Sequence, residues 1–100
     1  MGTDDFDTHP RALSAAVRRA VAPHASAVTI RGDGASQFIF VDIGPRGAEL
    51  YPGPNNTFIL DPALDGQLLG ETAFPRPDSA ATAARRWLDG ADLEQLRPAD

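Results

Sequence analysis

One hundred residues with a mass of 10.6 kDa make one domain, spanning 1–100, because a single hydrophobic core serves a chain of this size and leaves no material for a second. The nine basic residues are all arginine, cysteine is absent and the formal net charge is −5. Disulfides, thiolate nucleophiles, cysteine-based zinc or iron–sulfur sites, a Schiff-base lysine and a phosphate-binding P-loop are therefore excluded.

The core is built from few large side chains, since 17 of the hydrophobic residues are Ala, while Val, Ile, Leu and Phe sum to 22, enough to favour folding over disorder. Met1-Gly2-Thr3-Asp4-Asp5-Phe6-Asp7 carries neither the basic nor the apolar region of a signal peptide. Phe6 also stands where a myristoylation motif needs Ser or Thr. The longest run of large apolar residues, Phe38 to Val41, is far too short to span a bilayer. A cytoplasmic protein that does not enter membranes is the expectation, with residues 1–7 and 97–100 as flexible ends.

In chain order, the first element is a helix over residues 9–22, where Leu13, Ala16, Val17, Ala20 and Val21 recur at the spacing of one helical face. Thr8 is its candidate cap, Pro10 falls in the first turn and Pro23 ends it. From Ser26 to Ala73 the period changes to two, with turn residues at intervals. Ala27–Arg31 pairs with Gln37–Ile43 across Gly32-Asp33-Gly34, and Gly44-Pro45-Arg46-Gly47 turns into Ala48–Tyr51. Thr57–Leu60 and Gln67–Thr72 complete five strands. In the second strand both faces are apolar, Phe38 with Phe40 on one and Ile39, Val41 and Ile43 on the other, as for a strand covered on both sides or one that offers an apolar patch to a partner. After Pro75-Arg76-Pro77-Asp78, the stripe Ala80, Ala83, Ala84, Trp87, Leu88 predicts a second helix, capped by Asp78 or Ser79 and stopped by Gly90. Leu93 and Leu96 add one short turn. The fold class is α+β: a two-layer sandwich of an N-terminal helix, a five-stranded, mainly antiparallel meander and a C-terminal helix.

Sites for catalysis, metals or cofactors do not emerge. His9 and His24 flank the first helix, too far apart to share a metal. Asp61-Pro62-Ala63-Leu64-Asp65-Gly66 lacks the alternating oxygen ligands and the closing Glu of a calcium loop and is expected as a turn between strands. Ser14, Ser26, Ser36 and Ser79 have no nucleophile-elbow setting. Asp33, Asp42 and Glu49 are the carboxylates from which an acid–base pair would have to be assembled in space. Charge is more informative. Residues 32–73 hold Asp33, Asp42, Glu49, Asp61, Asp65 and Glu71 against the single base Arg46. Such a region repels nucleic-acid backbones and attracts a basic protein, though the same acids also serve solubility. The loop Tyr51-Pro52-Gly53-Pro54-Asn55-Asn56 is stiffened by prolines and offers Tyr51 as a large amphipathic contact.

Three features together resemble the small α+β immunity proteins of bacterial polymorphic toxin systems. They are the apolar strand Phe38–Asp42 followed by Gly44-Pro45-Arg46-Gly47, the Phe74-Pro75 connector, and the ending Ala80-x-x-Ala83-x-x-x-Trp87-Leu88-x-Gly90. The likeness covers residues 37–90. It implies a protein without catalytic or cofactor-binding residues that binds and blocks one toxin domain. With the charge distribution, it makes Asp33, Asp42, Glu49, Tyr51, Asp61 and Asp65 the expected contacts to a basic protein partner. Two other classes stay open. A chaperone-like or secretion-associated adaptor would grip an extended segment along a sheet edge, and a small enzyme would hold two carboxylates in a pocket.

Overall fold

The computed structural model describes residues 3–22, 27–32 and 37–96, with side chains from Ala12 onward. Helix α1 (Thr3–Ala20) is followed by β1 (Val28–Arg31), β2 (Phe38–Ile43), β3 (Arg46–Pro52), β4 (Phe58–Leu64), β5 (Gln67–Leu68) and β6 (Thr72–Phe74). Helix α2 (Pro77–Leu88) and a 3-10 turn over Leu93–Leu96 complete the chain. The strands form an antiparallel meander in the order β1-β2-β3-β4, with β5 and β6 sharing the fifth place along β4. The fold is the expected α+β arrangement. His24, Asp33 and residues 97–100 lie outside the described residues, as do the side chains of His9 and Arg11.

Both helices cover the same face of the sheet. Side chains alternate across a strand, and the register brings Ile30, Ile39, Leu50 and Leu60 into one row and Val28, Val41 and Ala48 into the next, facing the helices. Leu13, Ala16, Val17 and Val21 of the first helical stripe are buried against this layer, and Ala80, Ala81, Ala83, Ala84 and Trp87 supply the second. Alanines let the two helices pack closely against each other and leave Trp87, only 3% exposed, as the bulky wedge between helix and sheet.

Several boundaries differ from the sequence expectation. Helix α1 begins at Thr3, so Thr8 and Pro10 lie inside it rather than at its start. At α2 the cap is Arg76, with no side-chain capping bond, and neither Asp78 nor Ser79 fills that role. Pro77 at the first helical position decides this, because its fixed φ is already helical and its missing N–H needs no partner there. Gly90 does stop α2: its N–H donates to Trp87 O at 3.1 Å and that of Ala91 to Arg86 O at 2.9 Å, the paired bonds of a Schellman ending.

The turns are tighter than expected. Ile43 pairs with Arg46, so Gly44-Pro45 alone connects β2 to β3. Gly44 has φ +63°, the left-handed value that a two-residue turn needs ahead of proline. Likewise Asp65-Gly66 alone connects β4 to β5, and Asp61 and Pro62 are residues of β4. The fifth strand breaks in two because Pro62 has no N–H to return to the residue whose N–H it accepts from, Leu69 at 2.8 Å. The pairing slips by one residue between Ala63–Leu68 and Phe58–Phe74, a β-bulge at Leu69-Gly70-Glu71.

Candidate functional site

Neither helix covers the other face of the sheet, and among the described residues only the Pro52–Thr57 loop reaches it, at one end, where Gly53 packs on Ile59. Alternation and register put Thr29, Phe40, Glu49 and Asp61 in one row across β1 to β4. Arg31 pairs with Phe38, and Tyr51 with Ile59, in the row beside it. Asp42 and Gly47 pair in the row on the other side. Four of the six residues expected as partner contacts, Asp42, Glu49, Tyr51 and Asp61, thus share one surface. Asp65 does not join them: it sits at the sheet's end in a tight turn with φ +52°. Asp33 falls outside the described residues.

Three aromatic rings lie among these carboxylates. Phe38 is 38% exposed and meets Tyr51 with ring centroids 4.8 Å apart and Phe40 at 6.3 Å. Tyr51 Oη donates a hydrogen bond to the carboxylate of Glu71, which the bulge turns onto this face. The Pro52–Thr57 loop beside them is closed by the Gly53 N–H donating to Thr57 O at 2.8 Å. Tyr51, a residue of β3 and not of the loop, is therefore held between a ring and a carboxylate.

The carboxylates differ in setting. Asp61 is the one buried charged residue among those described, 8% exposed, and its Oδ1 accepts from the Gly70 N–H of the bulge at 3.2 Å. Asp42 leans over Gly47, where an added Cβ would come within 2.5 Å of Asp42 Oδ1; the glycine leaves room for that carboxylate. Burial, then the charges of Asp61 and Asp42, push the Glu49 carboxyl above its ordinary value. Among the described residues no basic side chain forms an ion pair with Asp42, Glu49 or Asp61; the pairs present are Arg19–Asp78 and Arg85–Asp89.

Arg46, the single base of the acidic stretch, explains part of this. It belongs to β3 but to the helix-facing set, and its guanidinium lies over Trp87 rather than beside the acids. Among the described residues Arg31 alone brings a cation near the rings, with Cζ 5.9 Å from the Phe40 centroid. Thr29, Arg31, Phe40 and Asp42 enclose a shallow hollow of about 270 Å3. Of the exposed leucines, Leu64 and Leu69 lie apart from this surface near the Asp65-Gly66 turn, whereas Leu68 pairs with Ala63 in the row of Asp42 and Gly47, at the far edge of the same face.

Sequence reasoning found Phe38 and Phe40 as an apolar strand face but missed Glu71 and Arg31 as members of the surface. Arg31 was legible from its parity with Thr29, whereas Glu71 was hidden by the one-residue slip of the bulge. No three His, Asp or Glu among the described residues group as a metal site, and none of the described helices is long and apolar enough to cross a membrane. The chain matches no protein-family model, no curated protein and no solved structure.

Proposed function

We propose that this chain is a protein-binding module that acts without catalysis, and that it serves as an immunity protein, neutralising a toxin by covering a basic surface of it in the cytoplasm. The observation that carries the reading is the open sheet face, where Phe38, Phe40 and Tyr51 stand among Asp42, Glu49, Asp61 and Glu71 without a compensating ion pair among the described residues. The exposed Phe38 and the half-buried Phe40 and Tyr51 supply contact area, and unneutralised carboxylates steer a basic partner and reject an acidic one.

Two features favour this over rival surfaces. A second copy of the chain would bring the same carboxylates face to face across a twofold axis, at a repulsive cost. The sheet edges are poor grips for an extended segment, since β1 has four residues and the other edge is broken by the bulge.

The test starts with capture of binding proteins from the native cytoplasm at low and moderate salt. The reading requires a partner that is toxic when expressed alone and harmless when the chain is co-expressed. It further requires that Asp42→Arg combined with Glu49→Arg lose the rescue while the variant stays folded. A captured partner without toxicity, or rescue that survives both reversals, overturns it.

A further inference from the structure

We infer that the open face recognises an arginine side chain of its partner, with the guanidinium laid against Phe40 and paired with the Glu49 carboxylate. This rests on the protein-binding role proposed above and names the chemistry of its central contact.

The register sets the geometry. Phe40 and Glu49 are direct cross-strand neighbours, and Tyr51 follows Glu49 by two residues on the same strand and face. Residues so placed have Cβ atoms about 5 Å apart, so a ring and a carboxylate flank one point above the sheet. Asp61, on the far side of Glu49, adds negative potential, and with its Oδ1 committed to Gly70 it leaves Glu49 as the more accessible acceptor. A guanidinium fits such a point better than an ammonium. It is planar, stacks on aromatic faces, sheds water more readily and can bond a carboxylate through two parallel N–H groups.

The protein already uses this chemistry twice. Arg46 stacks on Trp87 with Cζ 4.0 Å from the ring centroid and donates to two carbonyls, an internal version of the stacked half of the contact with carbonyls in place of the carboxylate. Arg31 reaches Phe40 only at 5.9 Å, near the limit of a useful cation–π distance, and is exposed. It shows that the open side of the Phe40 ring admits a guanidinium, and it leaves Glu49 unpaired among the described residues. Arg31 is thus a loose occupant that an incoming arginine displaces.

The probe is a blocked Gly-Arg-Gly peptide titrated at low salt into the isotope-labelled full chain, with amide shifts followed by NMR, beside the lysine and citrulline counterparts. Shifts centred on Phe38, Phe40, Glu49 and Tyr51, with millimolar affinity for arginine, weaker binding of lysine and none of citrulline, are expected. Glu49→Gln and Phe40→Leu, each checked for a native spectrum, should each weaken the arginine complex by about fivefold to tenfold, and Arg31→Ala should tighten it. Equal response to arginine and lysine, or arginine shifts that survive both variants, overturns the inference. If the toxic partner is neutralised and the neutralisation is indifferent to Phe40→Leu and Glu49→Gln, the arginine contact fails while the protein-binding role stands. If no toxic partner exists but the peptide binds as described, the immunity role fails instead.

Discussion

Arg46 binds Trp87 in two ways at once: its guanidinium lies 4.0 Å from the indole centroid, and the same group donates to the Trp87 carbonyl at 2.8 Å. A further bond at 2.7 Å to Ala91 O makes Arg46 the cap of the last turn of α2, delivered from the sheet. Trp87 reciprocates by donating Nε1–H to Gly47 O at 2.9 Å and, at 3.3 Å, to Ala63 O. Helix and sheet are therefore joined by polar bonds inside an otherwise alanine-rich contact. Arg46→Ala should lose about 2–3 kcal/mol, combining charge-assisted bonds to carbonyls with a stacked cation. Arg46→Lys should restore only part of this, because an ammonium has no planar face to lay on the indole while it donates to the two carbonyls. Urea denaturation measures both, and a loss below about 0.5 kcal/mol for Arg46→Ala would contradict the assignment.

Replacing Trp87 separates packing from polarity. Trp87→Phe keeps a buried ring but removes the Nε1–H that bonds Gly47 O and Ala63 O, and should cost about 2–4 kcal/mol from the lost hydrogen bonds and the vacated volume. The loss should appear in thermal unfolding without moving the residues of the open face, which an amide spectrum of the variant can check.

The bulge accounts for what could and could not be read from the sequence. Helical spacing identified the buried stripe of α1 and the alanines of α2, and period-two alternation identified the first four strands, because one buried face imposes those periods directly. Gln67–Thr72 looks like one strand on the same rule. In the structure Leu68 shares the face of Ala63, away from the helices, whereas Phe74 pairs with Phe58 in the core. An even spacing that should keep Leu68 and Phe74 on one side is broken by the extra residue at Gly70-Glu71, and Leu68 is left 46% exposed. The cause is in the chain, Pro62 without an N–H and Gly70 at φ +127°, but it acts only once β4 and the fifth strand meet. The same holds for Arg46. Its type and position say turn, and only the two-residue Gly44-Pro45 connection turns it toward the helices and leaves the acids of the sheet uncompensated.

Gly70 offers a direct test of that slip. Its φ of +127° is a region that side-chain-bearing residues rarely adopt, and nothing lies within 4 Å of an added Cβ, so Gly70→Ala probes backbone strain without a clash. The expected loss is about 1–3 kcal/mol. Asp61→Asn, which keeps an acceptor for the Gly70 N–H, should cost less than Asp61→Ala, which leaves that donor without its partner. If the three variants unfold at the same denaturant concentration as the parent, the bulge is not held by this bond.

Glu49 gives a pH dependence whose sign is fixed by its surroundings. Burial first, and then the charges of Asp61 and Asp42, raise its carboxyl above the ordinary 4.5. The folded protein therefore holds this proton more tightly than the unfolded chain, and stability from this group falls as pH rises from the ordinary value through the raised one. Above that window the penalty of the partly desolvated, repelled anion is fully present; below it the penalty is gone. Glu49→Gln removes the charge and should stabilise the free protein at neutral pH by no more than about 0.5 kcal/mol, as expected of a half-exposed position. That advantage should vanish at about pH 4, where Glu49 itself is largely protonated. Thermal unfolding of parent and variant at the two pH values is the measurement. A variant that is equally stabilised at both would mean that its benefit does not come from the carboxylate. The same substitution is expected to weaken partner binding, so stability and recognition should move in opposite directions at one residue, as they do where a surface keeps an unfavourable charge for a partner to neutralise.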